Sequence, residues 1–170
     1  GKSSGLTAPN GPSQTSLIRA AMADGGIGGD DVASISCHGT GTVLGDPIEV
    51  GGISSGYMGG VKALVSSKAA MGHSEGTAGL TGGLFALASI KSAAVMPTLH
   101  LDHVNPHVSR LLDDSRSSQF TMSRQRGGDP TQIGKCSSTS SFGMSGVNAH
   151  AIFSDLASLE QPAGELELRE

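Results

Sequence analysis

The segment that most constrains the fold is VASISCHGTGTVLGDPIEV, residues 32–50. Its first part, Val32–Cys37, predicts a short strand whose apolar side chains are covered on both faces. Pro47 suits the first position of a helix, and Asp46 is placed to cap the free amides there, so we predict that a helix begins at Pro47. A polar, glycine-rich loop therefore joins a strand to a helix, which is typical of α/β sheets that bind ligands at strand ends.

The rest of the chain alternates in the same way. We predict helices over residues 14–24, 80–94 and 105–114, strands over 61–69 and 118–122, and a final pair of antiparallel strands around a glycine turn at 143–146. Strands that alternate with helices and end in a strand pair indicate the α/β class, with helices layered on a mixed sheet.

The charge of the chain is unevenly distributed. Residues 155–170 hold five acids and one base, so they account for the whole net charge of -4 and leave residues 1–154 with ten acids and ten bases. We expect one domain over 1–154, an acidic tail or linker over 155–170, and no nucleic-acid partner. Two cysteines and no apolar run of membrane-spanning length favour an intracellular protein, cytoplasmic or organellar, without a membrane span.

Four polar clusters lie where predicted strands end or helices begin, and we expect them to converge on one cleft. They are His38 to Thr42, Lys68 with Gly72-His73, Asn105 to His107, and the loop Phe142 to Asn148.

His38 is the first candidate for chemistry. A ring N–H held in a rigid loop can stabilise a developing negative oxygen, although a histidine satisfied by backbone groups in a tight turn is the alternative. Thr40 and Thr42 alternate with glycines, so their hydroxyls can bond a ligand that the backbone approaches closely. A ligand that carries phosphate fits this pattern.

Lys68 and His73 connect the end of a predicted strand to the start of a helix. The helix macrodipole disfavours a cationic imidazole, so we expect His73 to be a neutral donor, with a capping role as the alternative. Lys68 in an apolar strand requires a carboxylate partner, for which Asp46 and Glu49 are candidates. A helix cap and a surface charge are the alternatives for those two acids.

We expect no metal site. His100 and His103 fall on opposite faces of an extended segment, and Pro106 interrupts any helix that could align His107 with them. Cys37 follows the strand alternation and points away from the side that His38 addresses, so we expect it, like Cys136, to be part of the core.

Five ordered motifs together resemble the C-terminal half of a β-ketoacyl synthase, specifically the ketosynthase domain of a modular type I polyketide synthase or fatty acid synthase. They are GLTAPNGPSQ, CHGTGTVLGDPIEV, SSKAAMGHSEGTAG, PTLHLDHVNPHV and SSFGMSGVNAH, and they span residues 5–153. The resemblance implies a thiolase-like fold, in which this half packs against an N-terminal half of similar topology. It also implies decarboxylative Claisen condensation of an acyl thioester with malonyl-acyl carrier protein, in polyketide or fatty acid synthesis.

The resemblance assigns roles to residues of this chain. His38 and His73 donate hydrogen bonds to the thioester oxygen, and Lys68 holds the surrounding network, to which Asp46 and Glu49 belong. The remaining assignments concern the ligand and the loop beside it: Thr40 and Thr42 bond the phosphopantetheine arm, Phe142, Gly143 and Met144 belong to the gate loop, and the Met144 N–H forms half of an oxyanion hole. No cofactor is bound intrinsically, because 4'-phosphopantetheine arrives on acyl carrier protein.

The chain departs from the family pattern at Ser36-Cys37, Ala69-Ala70 and Val147, which spares both histidines and the lysine. The family's nucleophilic cysteine lies in its N-terminal half, so we expect this segment to be inactive alone, to expose an apolar patch, and to form a homodimer when joined to that half. The alternative is a noncatalytic or decarboxylase-only scaffold domain of a synthase.

Overall fold

A computed structural model describes residues 8–113, 119–124 and 135–155. Of the tail predicted for 155–170, residues 156–170 lie outside the described residues. The helices are α1 (Gly11–Gly25), α2 (Gly45–Gly56), α3 (Lys68–Met71), α4 (Ala78–Ser92) and α5 (Pro106–Asp113). The strands are β1 (Val32–Ser36), β2 (Lys62–Val65), β3 (Phe120–Met122), β4 (Cys136–Phe142) and β5 (Asn148–Ser154).

The strands form one mixed sheet in the order β3-β2-β1-β4-β5. Strand β1 is parallel to β2 and to β4, β2 is parallel to β3, and β4 pairs antiparallel with β5 from Cys136↔Ser154 to Phe142↔Asn148. The predicted α/β class and the terminal antiparallel pair are confirmed. The loop that leaves β1 emerges at the carboxyl end of the parallel strands, beside the gate loop that leaves β4.

Helix α1 begins earlier than predicted. Asn10 caps it, because its Oδ1 accepts a hydrogen bond from the Ser13 N–H at 3.0 Å, and Pro12 is tolerated in the first turn. The helix therefore begins at Gly11 and not at the predicted residue 14, so Gln14 lies one turn inside it.

Helix α2 begins at Gly45 and not at Pro47. Thr42 Oγ1 accepts the Gly45 N–H at 3.1 Å, and the Asp46 carboxylate turns back to accept the Gly41 N–H at 3.1 Å. The predicted capping role of Asp46 is thus wrong, since it braces the glycine-rich loop instead of the helix amides.

Strand β2 is shorter than the predicted strand over 61–69. The Ser66 N–H donates to Thr98 Oγ1 at 3.0 Å, which takes the chain out of the sheet, and Lys68 begins α3. Gly72, with φ of +73°, ends that helix. Lys68 therefore does not lie in an apolar strand.

Helix α4 begins at Ala78, before the predicted start at residue 80, and only one of its faces is buried. Gly82 and Gly83 pack on the sheet so closely that a Cβ at Gly82 would lie 2.4 Å from Thr139 Oγ1. On the opposite face, Leu80 and Leu84 are 72% and 68% exposed. The glycines permit close approach to the sheet, while the leucines have no cover within the described residues.

The core confirms the placement of both cysteines. Cys136 belongs to the buried cluster, and Cys37 packs against it. The buried members of that cluster are Ile18, Val32, Ile35, Val50, Ile53, Tyr57, Leu64, Val108, Phe120 and Cys136. The serine-rich strand β4 is buried because its hydroxyls pair with β1, as in the Ser34 Oγ to Ser137 Oγ bond of 2.6 Å.

Candidate active site

A buried carboxylate fixes the loop after β1. Glu49 on α2 is 3% exposed, and its carboxylate accepts the backbone N–H groups of His38 at 2.6 Å and Gly39 at 2.8 Å. Gly39 has φ of +46°, and a Cβ there would lie 2.8 Å from Ser66 Oγ. The loop is therefore tied to α2 on one side and packed against the end of β2 on the other.

Burial raises the pKa of Glu49 to about 7, although the two N–H groups that it accepts oppose this shift. Burial also raises the pKa of Asp46. Glu49 is therefore no surface charge. Its carboxyl positions the backbone that carries His38.

His38 is held as a neutral hydrogen-bond donor. Its Nδ1 accepts the Phe142 N–H at 3.4 Å, and the two rings lie 5.6 Å apart. Burial is the main cause that lowers the pKa of His38 to about 4, and the positive charge of Lys68 and the electrostatic interaction with the His73 ring act in the same direction. A neutral imidazole whose Nδ1 accepts carries its hydrogen on Nε2.

His73 reaches the same tautomer by a route that differs from the predicted one. It lies between α3 and a 3-10 turn over Glu75–Thr77, before α4 begins at Ala78, so the macrodipole of α4 does not act on it directly. The Glu75 N–H donates to His73 Nδ1 at 3.0 Å, which leaves the hydrogen of a neutral ring on Nε2. The His73 ring meets that of His38 edge to face, with centroids 5.6 Å apart and an angle of 85° between the planes.

Residues of the sequence-predicted clusters line two cavities, which share Thr40 and Glu49, and His73 lines neither of them. The first, of about 190 Å³, is lined by His38, Thr40, Thr42 and the start of the gate loop, Phe142 to Met144. The second, of about 540 Å³, is lined by Cys37, Lys68 and Asn105. The expectation of one cleft is therefore wrong, because adjacent residues at the end of β1 face opposite ways. The same alternation turns Cys37 away from His38, as predicted.

Lys68 acts on His38 through its charge. It lowers the pKa of His38, while burial lowers its own pKa and the nearby Glu49, Cys37 and Asp46 oppose that shift. Within the part of the chain that the structure describes, no hydrogen bond joins Lys68 to His73, so the role of holding that ring stays a prediction. Burial also raises the pKa of the Cys37 thiol well above its ordinary value, which disfavours the nucleophilic thiolate.

The hydroxyl and gate residues line the mouth of the first cavity. Thr42 Oγ1 already accepts from Gly45, and Thr40 lines both cavities. Met144 is 73% exposed, and the Gly143 N–H donates to the Val147 carbonyl at 2.7 Å, which closes the gate loop on itself. The oxyanion role of the Met144 N–H and the ligand role of the two threonines stay predictions.

The histidines downstream do not form a cluster. Asn105 Oδ1 accepts the His107 N–H at 2.9 Å at the start of α5, and His103 lines the second cavity. Among the described residues, no group of three or more His, Cys, Asp or Glu side chains is placed to hold a metal ion. No described helix is long and apolar enough to cross a membrane.

Sequence reasoning missed Gln14, which lines the first cavity together with Asn148 at the start of β5. Gln14 is 2% exposed, and it shares the buried face of α1 with Ile18, four residues on. A polar residue at the core-facing spacing of a helix was the available signal.

Comparison with known proteins identifies the family to which this chain belongs. The model for the β-ketoacyl synthase C-terminal domain matches residues 1–102. The chain therefore belongs to the β-ketoacyl synthase family.

Its relatives are ketosynthase regions of polyketide synthases. The chain is 40% identical to the spectinabilin polyketide synthase system protein NorA' of Streptomyces orinoci, over 97% of its own length and 4% of that protein. It is 37% identical to the erythronolide synthase EryA2 of Saccharopolyspora erythraea, over 98% of the chain and 5% of the relative. The chain thus spans a small part of the relatives that it matches.

Solved ketosynthase structures share the fold. The oxazolomycin ketosynthase domain OzmH KS7 of Streptomyces albus JA3453 superposes with a TM-score of 0.80 at 31% identity, covering 91% of this chain and 27% of that one. The ketosynthase from module 1 of the bacillaene synthase of Bacillus amyloliquefaciens gives a TM-score of 0.79 at 28% identity, covering 91% and 28%. These matches confirm the predicted thiolase-like fold.

Proposed function

We propose that this chain is the C-terminal part of a ketosynthase that catalyses decarboxylative Claisen condensation of an acyl thioester with malonyl-acyl carrier protein. In this proposal, the malonyl thioester loses carbon dioxide, and the electron pair of the broken carbon–carbon bond forms an enolate. The enolate carbon attacks an acyl chain carried on a cysteine thiol, a carbon–carbon bond forms, and the thiolate leaves.

The observation that carries the proposal is the pairing of two Nε2–H donors. Each histidine has its Nδ1 occupied by a backbone N–H, at Phe142 for His38 and at Glu75 for His73, and the two rings are in contact. Two neutral imidazole donors side by side can share the negative charge of one enolate oxygen without taking its proton. His38 also lines a cavity that opens on the gate loop, where a thioester can enter.

The cysteine thiol that carries the acyl chain in this proposal comes from polypeptide outside these 170 residues. Both cysteines of the chain are unsuited to the role, since Cys37 faces the second cavity with a raised pKa and Cys136 is buried in the core with a raised pKa. The isolated segment is then inactive in condensation.

The exposed leucine face of α4 supports an N-terminal half as the partner of this chain. Leu80, Leu84 and Leu87 are 72%, 68% and 39% exposed on a helix whose opposite face packs on the sheet. An apolar helix face of this kind is usually covered in the complete protein. We further propose that the complete ketosynthase is an intracellular homodimer.

The lining of the first cavity supports acyl carrier protein as the partner. In this proposal the carrier delivers the thioester on a 4'-phosphopantetheine arm, and the hydroxyls of Thr40 and Thr42, which line the cavity, bond that arm. The glycines between them let the backbone approach the ligand.

The decisive experiment uses the complete ketosynthase that contains these residues. Replacing His38 or His73 by Ala removes one donor to the enolate oxygen, and we expect decarboxylation and condensation to slow by about a hundredfold or more. His107→Ala, which changes an exposed histidine on α5 outside both cavities, is the matched control and should retain full activity.

Near-normal turnover of both active-site variants would contradict the proposal. Decarboxylation without condensation in the unmodified protein would point to a decarboxylase-only domain, and the absence of both activities would point to a noncatalytic scaffold.

A further inference from the structure

The hydroxyl of Tyr57 connects the end of α2 to the last two strands of the sheet. Tyr57 follows α2 directly and is fully buried, and its Oη donates to Ser138 Oγ on β4 at 3.0 Å. On β5, His150 Nε2 lies 2.7 Å from the same Oη, and His150 Nδ1 lies 3.0 Å from Ser140 Oγ on β4. A chain of hydrogen bonds thus joins α2, β4 and β5.

The hydrogen atoms of this network follow from its donors. The single hydrogen of Tyr57 Oη goes to Ser138, so Oη accepts the hydrogen of His150 Nε2. His150 Nδ1 then accepts from the Ser140 hydroxyl. Burial lowers the pKa of His150 to about 4, so the ring is neutral at neutral pH, as this pattern requires. Both ring nitrogens and the tyrosine hydroxyl therefore have partners within the chain, and the reaction proposed above makes no use of them.

The network joins the two elements that hold His38. Glu49 on α2 accepts the His38 backbone N–H at 2.6 Å, and the Phe142 N–H at the end of β4 donates to His38 Nδ1 at 3.4 Å. Glu49 lies about two helical turns before Tyr57. Phe142 lies two residues after Ser140 on the same strand. The place of His38 between these groups therefore depends on where α2 stands relative to β4.

Hydrogen bonds fix that relative position better than the apolar packing of α2 does. Helix α2 packs on α1 through glycines, and a Cβ at Gly56 would lie 2.9 Å from Ile18 Cγ2. Apolar contacts of this kind have no preferred direction, and packed helices can slide by small amounts along them. The bonds made by Tyr57 constrain both distance and angle, so they oppose such sliding.

We propose that Tyr57 and His150 are positioning residues that fix α2 against β4 and so hold His38 where its Nε2–H meets the enolate oxygen. Neither residue lines either cavity, and both act on the ring of His38 through Glu49 and Phe142. The inference rests on the proposed function, which brings the enolate to His38, and it extends that function to two residues outside the site.

The test uses the complete ketosynthase with Tyr57→Phe, which removes Oη and keeps the buried ring. Hydrogen exchange followed by mass spectrometry reports on the backbone N–H groups of His38 and Phe142, and steady-state kinetics report on condensation. We expect both N–H groups to exchange about fivefold faster, because the hydrogen bonds that restrain α2 are lost. We expect kcat to fall by about tenfold with KM nearly unchanged, because the donor is misplaced while the lining of the cavities is intact.

Ser34→Ala is the matched control. It removes one hydroxyl from a buried bond between strands, since Ser34 Oγ lies 2.6 Å from Ser137 Oγ on the opposite face of the sheet from Ser138. Chemical denaturation of both variants measures the loss of global stability, which by itself speeds exchange. We expect Ser34→Ala to keep full activity, and to exchange at His38 and Phe142 no faster than its own loss of stability accounts for.

His150→Ala and the double variant test whether the two residues act as one unit. Residues that act as a unit give non-additive effects, so the double variant should lose no more activity than the more impaired single variant. Additive losses would overturn the joint role. Circular dichroism confirms that each variant is folded.

The proposal is overturned if Tyr57→Phe matches Ser34→Ala in kcat and in the exchange of both N–H groups. It is also overturned if, in a protein that condenses, one of these two measurements changes without the other, because Tyr57 would then not act through His38. Failure of the proposed function gives a different result. A protein that does not condense, but in which Tyr57→Phe alone speeds exchange at His38 and Phe142, supports the positioning role and refutes only the condensation.

Discussion

The imidazole rings of His38 and His73 meet edge to face, with centroids 5.6 Å apart, although they come from separate loops of the chain. Each ring accepts a backbone N–H at Nδ1, so each presents Nε2–H on its other side. Local backbone geometry thus selects the donor tautomer of both rings before any ligand arrives. Preorganised donors of this kind need no rearrangement when negative charge develops in the transition state.

Glu49→Gln should destabilise the chain and loosen the loop that carries His38. The carboxylate accepts two backbone N–H groups at 2.6 and 2.8 Å, whereas an amide offers one acceptor oxygen and opposes the second N–H with its own NH₂. We expect a loss of about 1–3 kcal/mol in the free energy of unfolding, measured by chemical denaturation. The exposed Glu75→Gln variant is the control and should change it by less than about 0.5 kcal/mol. Equal stability of the Glu49→Gln and Glu75→Gln variants would contradict the role of Glu49 in fixing the loop that carries His38.

Two glycine-to-alanine changes should have opposite effects on the free energy of unfolding. At Gly82 the new Cβ would lie 2.4 Å from Thr139 Oγ1, so we expect a destabilisation of about 1–3 kcal/mol despite the better helix propensity of alanine. At Gly51, inside α2, no atom beyond the chain neighbours and the nearby helix backbone lies within 4 Å of the new Cβ, and we expect a gain of about 0.4–1 kcal/mol. Thermal unfolding of the two variants measures both effects. A stabilised Gly82→Ala variant would show that α4 does not pack closely on β4.

The free energy of unfolding should decrease as the pH falls below about 6.5, because burial keeps His38 and His150 neutral in the folded chain. Burial is the main cause that lowers the pKa of His38 and of His150 to about 4, whereas an unfolded histidine titrates near 6.5. Between these values the unfolded state binds more protons, so the stability present above pH 6.5 is lost as the pH falls through about 4. His150 Nε2 and Nδ1 contact Tyr57 Oη at 2.7 Å and Ser140 Oγ at 3.0 Å.

His150→Gln should therefore reduce the loss of stability towards low pH, measured as the free energy of unfolding at a series of pH values between 4 and 7. Glu49 acts in the opposite sense, since its pKa is raised to about 7 and its contribution is lost as the pH rises through that value. Glu49→Gln should accordingly make the free energy of unfolding fall more steeply as the pH is lowered. If the pH dependence of stability is unchanged in both variants, the titrations of His150 and Glu49 do not cause it.

Leu84→Glu should reduce self-association of the isolated chain without unfolding it. Leu84 is 68% exposed on the uncovered face of α4, so the change removes apolar surface and adds a charge at no packing cost. Ala20→Glu adds the same charge on the exposed face of α1 and serves as the control. Light scattering should show smaller species for Leu84→Glu alone, and equal behaviour of the two variants would indicate that α4 is not the associating surface.

The sheet and its terminal strand pair could be predicted from the sequence because they depend on local patterns of apolar residues and turns. The end of β2 and the start of α2 were placed incorrectly, since both are set by side chains distant in sequence or turned the other way. Thr98 Oγ1 accepts the Ser66 N–H and takes the chain out of the sheet, and Thr42 Oγ1 accepts the N–H of Gly45, the first residue of α2, whereas Asp46 was predicted to cap the free amides. The Ser66–Thr98 contact joins residues 32 apart and so cannot be predicted from a local window, whereas the Thr42–Gly45 contact joins residues only three apart.

The sequence predicted that His38 and His73 lie close together, and the structure brings their rings into contact, but the sequence did not predict two cavities. His38 and Lys68 were expected in one cleft, yet the strand alternation that turns Cys37 away from His38 also separates the two cavities. The tautomers of His38 and His73 depend on single backbone N–H groups of Phe142 and Glu75, which no sequence pattern specifies. Gln14 was missed because a polar side chain at the start of a helix usually faces solvent.

The most direct test of the central claim is a long-range ¹H–¹⁵N NMR spectrum that identifies the protonated ring nitrogen of each histidine. It is recorded at about pH 8, above the ordinary imidazole pKa of about 6.5. We predict that His38 and His73 both carry their hydrogen on Nε2, with Nδ1 as the bare acceptor. A hydrogen on Nδ1 of either ring would leave a single donor at the site and contradict the account.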